Sequence, residues 1–374
     1  SGFDRYFQLA RCLRDEDLRT DRQPEFTQID LEMSFGEQND LFTILEGLVK
    51  HIVKKTINTD VKTPFKRLTH HESMEKYGND KPDLRFGLPL IDVTTIAKSS
   101  SFEKFKLAER ATLLCCPHTF NRKELDSLNE RIQKEGVSGL GYAKNVKGKL
   151  ETGIAKFFTP KQQKDLIKLA KSKDCDTLFF IADKPTRSLK AGGVLRNILG
   201  KKLKLIDNKV FEYCWITDFP LFEYNEDTQE LEPAHHLFTM PKKDALKYLG
   251  TEPEKIIAQC YDLVLNGVEL GSGSVRNHDS ALQKKIMAVI GISTKDAEKK
   301  FGFLLEAMSY GGPPHLGIAL GFDRLVTLLC GHNDIREVIA FPKNKKAESP
   351  MDGSPSKVSD EQLKTLHLRV NDED

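Results

Sequence analysis

From Phe26 to Phe35 the sequence alternates: Thr27, Ile29, Leu31, Met33 and Phe35 are apolar or nearly so, while Gln28, Asp30, Glu32 and Ser34 project the other way. Side chains on a strand repeat every two residues, so this run predicts a strand with one core face and one polar face. Tyr6 to Arg14 has the same extended character, and between the two lies a loop dense in charge, Arg14-Asp-Glu-Asp-Leu-Arg-Thr-Asp-Arg22. Strand, charged loop and strand predict an antiparallel hairpin with Arg14 and Glu16 at its turn end. An ordinary sheet with a solvated outer face satisfies the same pattern. Phe26 argues against it, because an aromatic ring opening a face of acids and amides suits a stacking platform for a planar ligand.

The chain has 374 residues, 39% of them hydrophobic, enough for a large core and two domains. A net charge of +2 gives no strong field, so contact with nucleic acid has to come from a local basic surface. No run of about 20 apolar residues is present for a membrane span, and the residues from Ser1 onward lack the layout of a signal peptide. The seven cysteines include no Cys-x-x-Cys pair, which points to reduced thiols in a cytosol-like compartment and to no structural zinc.

Asp40 to Lys54 predicts a helix with Leu41, Leu45, Leu48 and Ile52 on one face and Phe42, Val49 and Val53 beside it, covering the apolar face of the hairpin sheet. Residues 63–86 read as loop-rich and contain Tyr77-Gly-Asn-Asp-Lys-Pro-Asp-Leu-Arg85, ordinary turn chemistry. From about Leu88 to Val210, lysine-rich helical stretches such as Gln162 to Lys173 alternate with short strands such as Thr177 to Ala182. Solvated lysine faces are the favoured explanation, and contact with a nucleic acid is the sharper one.

Asn266-Gly267 between apolar runs predicts a two-residue hairpin turn that pairs Leu265 with Val268 and Val264 with Glu269. Asp262 and Glu269 then fall on one face as diagonal neighbours, and carboxylates that close call for a divalent cation or a shared proton. Arg276 has the opposite parity to Glu269, yet Gly271-Ser-Gly-Ser274 can supply a bulge that re-aims it. Gly317, Gly321 and Phe322-Asp-Arg324 mark a strand-to-helix junction, with Gly331 as the helix end. Arg324, a cation in the first helical turn, opposes the dipole preference and so points to a ligand.

Three long stretches resemble a known family. Phe3-Asp-Arg-Tyr-Phe-Gln8, the charged loop from Arg14 and Asp21-Arg-Gln-Pro-Glu-Phe-Thr-Gln-Ile-Asp30 resemble motif 2 of class II aminoacyl-tRNA synthetases, in the form of the bacterial and organellar aspartyl-tRNA synthetases. Residues Tyr261 to Arg276 resemble the segment before motif 3, and Gly317-Ile-Ala-Leu-Gly-Phe-Asp-Arg324 resembles motif 3. His235-His-Leu-Phe-Thr239 stands where the family usually reads His-His-Pro-Phe-Thr, and residues 77–85 resemble a segment near the mouth of the active site.

The resemblance implies an α+β fold: a class II antiparallel sheet flanked by helices, in residues 1–87 and 211–374, with an inserted α/β domain at 88–210. It implies ATP held by Arg14, Asp15, Glu16, Gln23, Phe26, Glu269, Gly321, Phe322, Asp323 and Arg324, with Phe26 and Arg324 on the two faces of adenine and Arg14, Glu16 and Arg324 serving catalysis. Asp30, His235, His236 and Arg276 would hold L-aspartate, and Asp262 and Glu269 would hold Mg²⁺. The implied partner is tRNA(Asp), with or without tRNA(Asn), for a homodimer of the full-length form, without membrane contact, in the cytoplasm or an organellar matrix. The resemblance begins at motif 2, without motif 1, the anticodon-binding barrel or a Gln-Ser-Pro-Gln segment. The expected function is therefore aspartate–tRNA ligation by a piece of a longer protein. The alternatives are a reduced relative that binds ATP or aspartate without charging tRNA, and an aspartate-activating ligase akin to asparagine synthetase A.

Overall fold

The computed structural model describes residues 2–15, 18–225 and 228–371. The chain opens with strands β1 (Arg5–Leu13) and β2 (Glu25–Ser34), helix α1 (Gln38–Ile57), strand β3 (Lys66–Thr69) and helix α2 (His70–Tyr77). There follow β4 (Leu90–Asp92), α3 (Thr94–Lys98), α4 (Glu103–Leu107), β5 (Arg110–Cys116), α5 (Arg122–Gln133), β6 (Gly141–Val146), β7 (Lys149–Glu151), α6 (Pro160–Ala170), β8 (Thr177–Asp183) and α7 (Pro185–Lys202). The remainder holds β9 (Tyr213–Thr217), β10 (Phe222–Asn225), β11 (Glu230–Pro233), β12 (Cys260–Leu265), β13 (Val268–Val275), α8 (Ser280–Val289), α9 (Thr294–Ser309), β14 (His315–Gly321), α10 (Phe322–Leu329) and α11 (Asp360–Thr365).

Two compact units divide the chain, with boundaries inside β1, β2 and β14: one holds residues up to Tyr6 with Glu32–Ile318, the other Phe7–Leu31 with residues from Ala319 on. In the first unit a sheet runs in the order β14-β13-β12-β9-β3. The pairs β12/β13 and β12/β9 are antiparallel, while β3 lies parallel to β9. Period two splits its side chains between two cores. Cys214, Ile216, Cys260 and Val264 pack with Leu68 and with Ile286 of α8. On the other face Trp215 and Tyr261 meet α1, where Phe42 stacks on Trp215 at 3.8 Å and meets Tyr261 edge-on at 5.2 Å. The buried indole nitrogen of Trp215 donates to Glu46 of the same helix at 3.0 Å. The buried stripe of α1 is Leu41, Phe42, Leu45, Glu46, Val49 and Val53, so its centre lies one position off the expected one, with Leu48 and Ile52 only half-buried.

Residues 63–86 are more ordered than the sequence reading allowed, because they contain β3 and α2. The start of α2 is fixed by a reciprocal cap: Thr69 accepts from the Glu72 backbone while Glu72 accepts from that of Thr69. Between Leu90 and Lys202 the same unit carries a second sheet, ordered β4-β5-β8-β6-β7, whose pairs are all antiparallel. Both its faces are covered, which explains the unbroken apolar run Leu178 to Ile181. Leu114, Cys116, Phe179 and Ile181 pack against α5 and α7, and Leu113, Leu178 and Phe180 pack with Phe105 of α4 and Leu166 of α6.

In the second unit β1, β2 and the end of β14 are neighbours in that order. The expected hairpin forms, and the Arg14 backbone N–H closes its loop end by donating to the Pro24 carbonyl at 2.9 Å. β14 passes directly into α10, and Gly331 follows that helix with a φ of 74°, the left-handed cap that glycine accepts without strain.

Two helical glycines make opposite predictions. A Cβ on Gly193 of α7 would stand 2.4 Å from the backbone oxygen of Gly78, whereas one on Gly302 of α9 would meet nothing within 4 Å. Gly193→Ala should lower the unfolding free energy by about 2–3 kcal/mol, and Gly302→Ala should raise it by about 0.5–1 kcal/mol. Urea denaturation of both variants checks the contrast.

Candidate functional site

The hairpin β12–β13 turns as expected on Asn266-Gly267, with φ of 54° and 85°, and pairs Leu265 with Val268 and Val264 with Glu269. Beyond that the register shifts: Leu263 faces Gly271 and Asp262 faces Ser272, leaving Leu270 as an extra residue. The bulge falls one residue before the glycine-serine run proposed for it. It reverses the parity of everything after it, so Ser272, Ser274 and Arg276 share a strand face with Asp262 and Glu269.

Arg276 stands at the centre of this face, its side chain 20% exposed. Nη2 donates to Glu32 Oε1 at 2.7 Å, and Nη1 lies 2.8 Å from Ser274 Oγ and 2.7 Å from His236 Nε2. Burial and then the Arg276 charge push the His236 pKa down to about 4, so this ring is neutral at ordinary pH. Glu32 belongs to the polar face of β2, where alternation alone does not distinguish it from Gln28, Asp30 and Ser34. Its carboxylate rests on Gly317, where a Cβ would stand 2.2 Å from Glu32 Cδ, and its Oε2 is buried without a hydrogen-bond partner among the described residues.

Asp262 is 1% exposed, and its Oδ1 is likewise buried without a hydrogen-bond partner among the described residues. His235 Nε2 approaches that oxygen to 3.7 Å, the range of an ion pair rather than of a hydrogen bond. Burial opposes protonation of His235, but Asp262, the Ala234 carbonyl and Glu269 outweigh it and raise the pKa. Glu269 Oε2 is met at 3.3 Å by the ammonium of Lys81, which also contacts Asp80 at 2.6 Å. Burial works against the Lys81 charge, yet Asp80 and Glu269 prevail and its pKa is raised. Lys81 and Asp80 carried no site signal in the sequence beyond the resemblance of residues 77–85.

The second unit holds the other expected residues. The Arg14 guanidinium lies over the Phe26 ring, 5.2 Å from its centroid. Arg324, 24% exposed at its side chain, reaches the Asp21 backbone oxygen at 3.3 Å and its carboxylate at 3.5 Å. Asp15, Asp30 and Phe322 are exposed or half-buried, Gly321 caps the start of α10, and Glu16 lies outside the described residues. Two residues expected to hold nucleotide are engaged in holding the frame. Asp323 accepts the Thr27 N–H at 2.6 Å, tying α10 to β2. Gln23, 5% exposed, donates to the Lys343 carbonyl at 3.1 Å and accepts the Lys343 N–H at 2.8 Å. With both ends of its amide spent on one backbone unit, Gln23→Ala should cost about 1–3 kcal/mol of stability and speed hydrogen exchange at the Lys343 amide. Unchanged exchange there would show that the clamp holds nothing.

Among the described residues no helix is long and apolar enough to cross a membrane. The sequence is 47% identical to the aspartate–tRNA(Asp/Asn) ligase of Hydrogenobaculum sp., over 99% of this chain and 65% of that protein. It is 45% identical to the aspartate–tRNA ligase of Staphylococcus epidermidis, over 99% of this chain and 64% of that one. The chain thus spans somewhat under two thirds of the length of these curated relatives. A solved aspartyl tRNA synthetase from Entamoeba histolytica aligns with 93% of this chain and 49% of its own at a TM-score of 0.45 and 17% identity, a likeness too distant to carry an argument. The family model of class II tRNA synthetases (D, K and N) matches residues 1–345, and the chain belongs to that family.

Proposed function

We propose that this chain carries the site at which an aspartate–tRNA ligase activates L-aspartate with ATP. The aspartate carboxylate attacks the α-phosphorus, pyrophosphate leaves, and the 3′ end of tRNA takes the aspartyl group from the adenylate. The observation that carries this reading is the bulge in β13, which turns the planar fork of Arg276 onto the strand face of Asp262 and Glu269. A half-buried guanidinium among Glu32, His236 and Ser274 is suited to a carboxylate, since it offers parallel donors in a fixed plane. The names of the relatives supply aspartate as that carboxylate.

In this reading Arg276, with His236 and His235 beside it, takes the side-chain carboxylate of aspartate, and Asp30 meets its ammonium. Phe26 and Arg324 stack on adenine, while Gly321 and Phe322 form the junction from which Arg324 projects. Arg14 answers the charge that grows on the α-phosphate, and Asp15 and Glu16 fix the nucleotide around it. Gln23 and Asp323 act one step back, by holding the loop and the strand that carry these groups. The buried, unbonded Oδ1 of Asp262 and the hard oxygen donors of Asp262 and Glu269 fit Mg²⁺, which when bound draws charge from the triphosphate. The aspartate carboxylate is already anionic, so the first step requires no general base. Positioning and charge complementarity do the work.

We further infer that residues 88–210 form a domain inserted between 1–87 and 211–374, and that the full protein is a homodimer acting on tRNA(Asp), with or without tRNA(Asn), in the cytoplasm or an organellar matrix. The family match and the names of the relatives favour this over an asparagine synthetase A-like ligase.

Aspartate-dependent ATP–pyrophosphate exchange tests the activation step. Arg14→Ala should slow it about a hundredfold, or about 3 kcal/mol, since its contact strengthens as charge develops; a near-normal rate would remove Arg14 from the mechanism. Arg276→Lys keeps the charge but loses the fork, so KM for aspartate should rise about tenfold while KM for ATP stays level. Equal effects on the two constants would place Arg276 outside the amino-acid pocket.

A further inference from the structure

Arg196 lies in the middle of α7, 1% exposed. Its guanidinium stacks over two rings, with centroids at 4.0 Å for Phe86 and 4.9 Å for Tyr77. Nη2 donates to the carbonyls of Asp83 and Phe86, both at 2.8 Å, and Nε is buried without a hydrogen-bond partner among the described residues. Among the described residues no carboxylate forms an ion pair with it. A charge buried on these terms costs stability relative to a well-packed apolar side chain. What the guanidinium provides that an apolar group could not is a hold on two carbonyls of one loop.

That loop touches the β12–β13 hairpin at two points. Lys81 places its ammonium 3.3 Å from Glu269, and Asp83 backs the turn so closely that a Cβ on Gly267 would stand 3.1 Å from Asp83 Cβ. The same face of α7 seats the loop from both sides of Arg196. A Cβ on Gly193 would meet the Gly78 oxygen at 2.4 Å, and one on Gly200 would meet the Phe86 ring at 2.6 Å. Positions 193, 196 and 200 lie along one helical stripe, so the contacts form a continuous seat for residues 78–86. The carboxylate of Asp83 is held in turn by Arg85 at 2.7 and 2.9 Å, which stiffens the loop from within.

We propose that Arg196 is a positioning residue: by fixing residues 80–86 it holds the Lys81 ammonium beside Glu269, where Lys81 competes with the divalent cation that Asp262 and Glu269 take. Affinity for the metal is thus set from α7, through the loop. The inference rests on the metal reading of Asp262 and Glu269 given above. A fixed positive charge beside a cation site weakens it, here by about tenfold, and freeing the loop relieves that competition.

The test uses Mn²⁺ alone as the probe, titrated by electron paramagnetic resonance into the unaltered chain, Lys81→Met, Arg196→Met and the double variant, with amide hydrogen exchange followed over residues 78–87. Each single variant should bind Mn²⁺ about tenfold more tightly. The double variant should bind no more tightly than Lys81→Met, and exchange over the loop should rise in Arg196→Met but not in Lys81→Met. Tighter binding in Lys81→Met with none in Arg196→Met would overturn the positioning role, as would additive effects in the double variant. A rise in exchange with unchanged Mn²⁺ affinity would reduce Arg196 to a structural residue. Mn²⁺ binding by none of the four would instead overturn the metal reading itself, and the competition with it. Should Arg196→Met not fold, Arg196→Lys, which retains charge and stem but not the fork, should shift affinity and exchange in the same directions.

Discussion

Between the Asn266-Gly267 turn and Arg276, β13 holds one residue more than the strand it pairs with, and the surplus, Leu270, decides which side chains face the site. In an unbroken ladder Glu269 and Arg276, seven positions apart, would point to opposite faces. The extra residue brings the guanidinium onto the side of the carboxylates, where Glu32, Ser274 and His236 can reach it. The partner strand β12 keeps its regular alternation, with Cys260 and Val264 in one packed layer and Tyr261 in the other, so the extra residue re-aims β13 alone.

The charges gathered by this geometry are arranged before any ligand arrives. Glu32 pairs with Arg276, Glu269 and Asp80 share Lys81, and Asp262 has His235 at ion-pair distance. Ion pairs this sheltered are weak evidence for stability, because desolvation offsets most of the attraction. Their value lies in orientation: a dipole or charge already aimed needs no reorganisation when a reaction develops charge near it. The neutral state of His236, held by burial and by Arg276, fits this picture, since a second cation there would compete with the guanidinium for the same anions.

Much of this was legible because it is local. Alternation over ten residues gives β2, the Asn-Gly pair gives the hairpin with its first two pairings, and the glycines around Arg324 give the strand-to-helix junction. α1 was legible as a helix but not in its exact facing, because Leu48 and Ile52 are as apolar as Phe42 and only the position of Trp215 decides which stripe is buried. α2 was missed although Thr69 and Glu72 form a capping box, because a short, polar helix shows little periodicity. Lys81 could not be found from its neighbours at all. Its meaning comes from Glu269, far along the chain, and no local pattern encodes that pairing.

Gln23 and Glu32 show why matching a motif does not fix a role. Gln23 sits within the motif 2 stretch, yet both hydrogen-bonding ends of its amide are engaged by Lys343, so taking up a ligand would require breaking two good bonds. Glu32 was passed over as one more acid on a polar face, yet one of its oxygens is buried and unbonded, as is one of Asp262. A buried polar atom without a partner costs free energy that a ligand can recover, whereas a fully satisfied one has nothing to gain from binding. By that physical criterion Gln23 and Asp323 are spent on the backbone of Lys343 and Thr27, whereas Glu32 and Asp262 each keep a buried oxygen that a ligand can satisfy. The sequence pattern contains both sets, but only the hydrogen-bond inventory separates them.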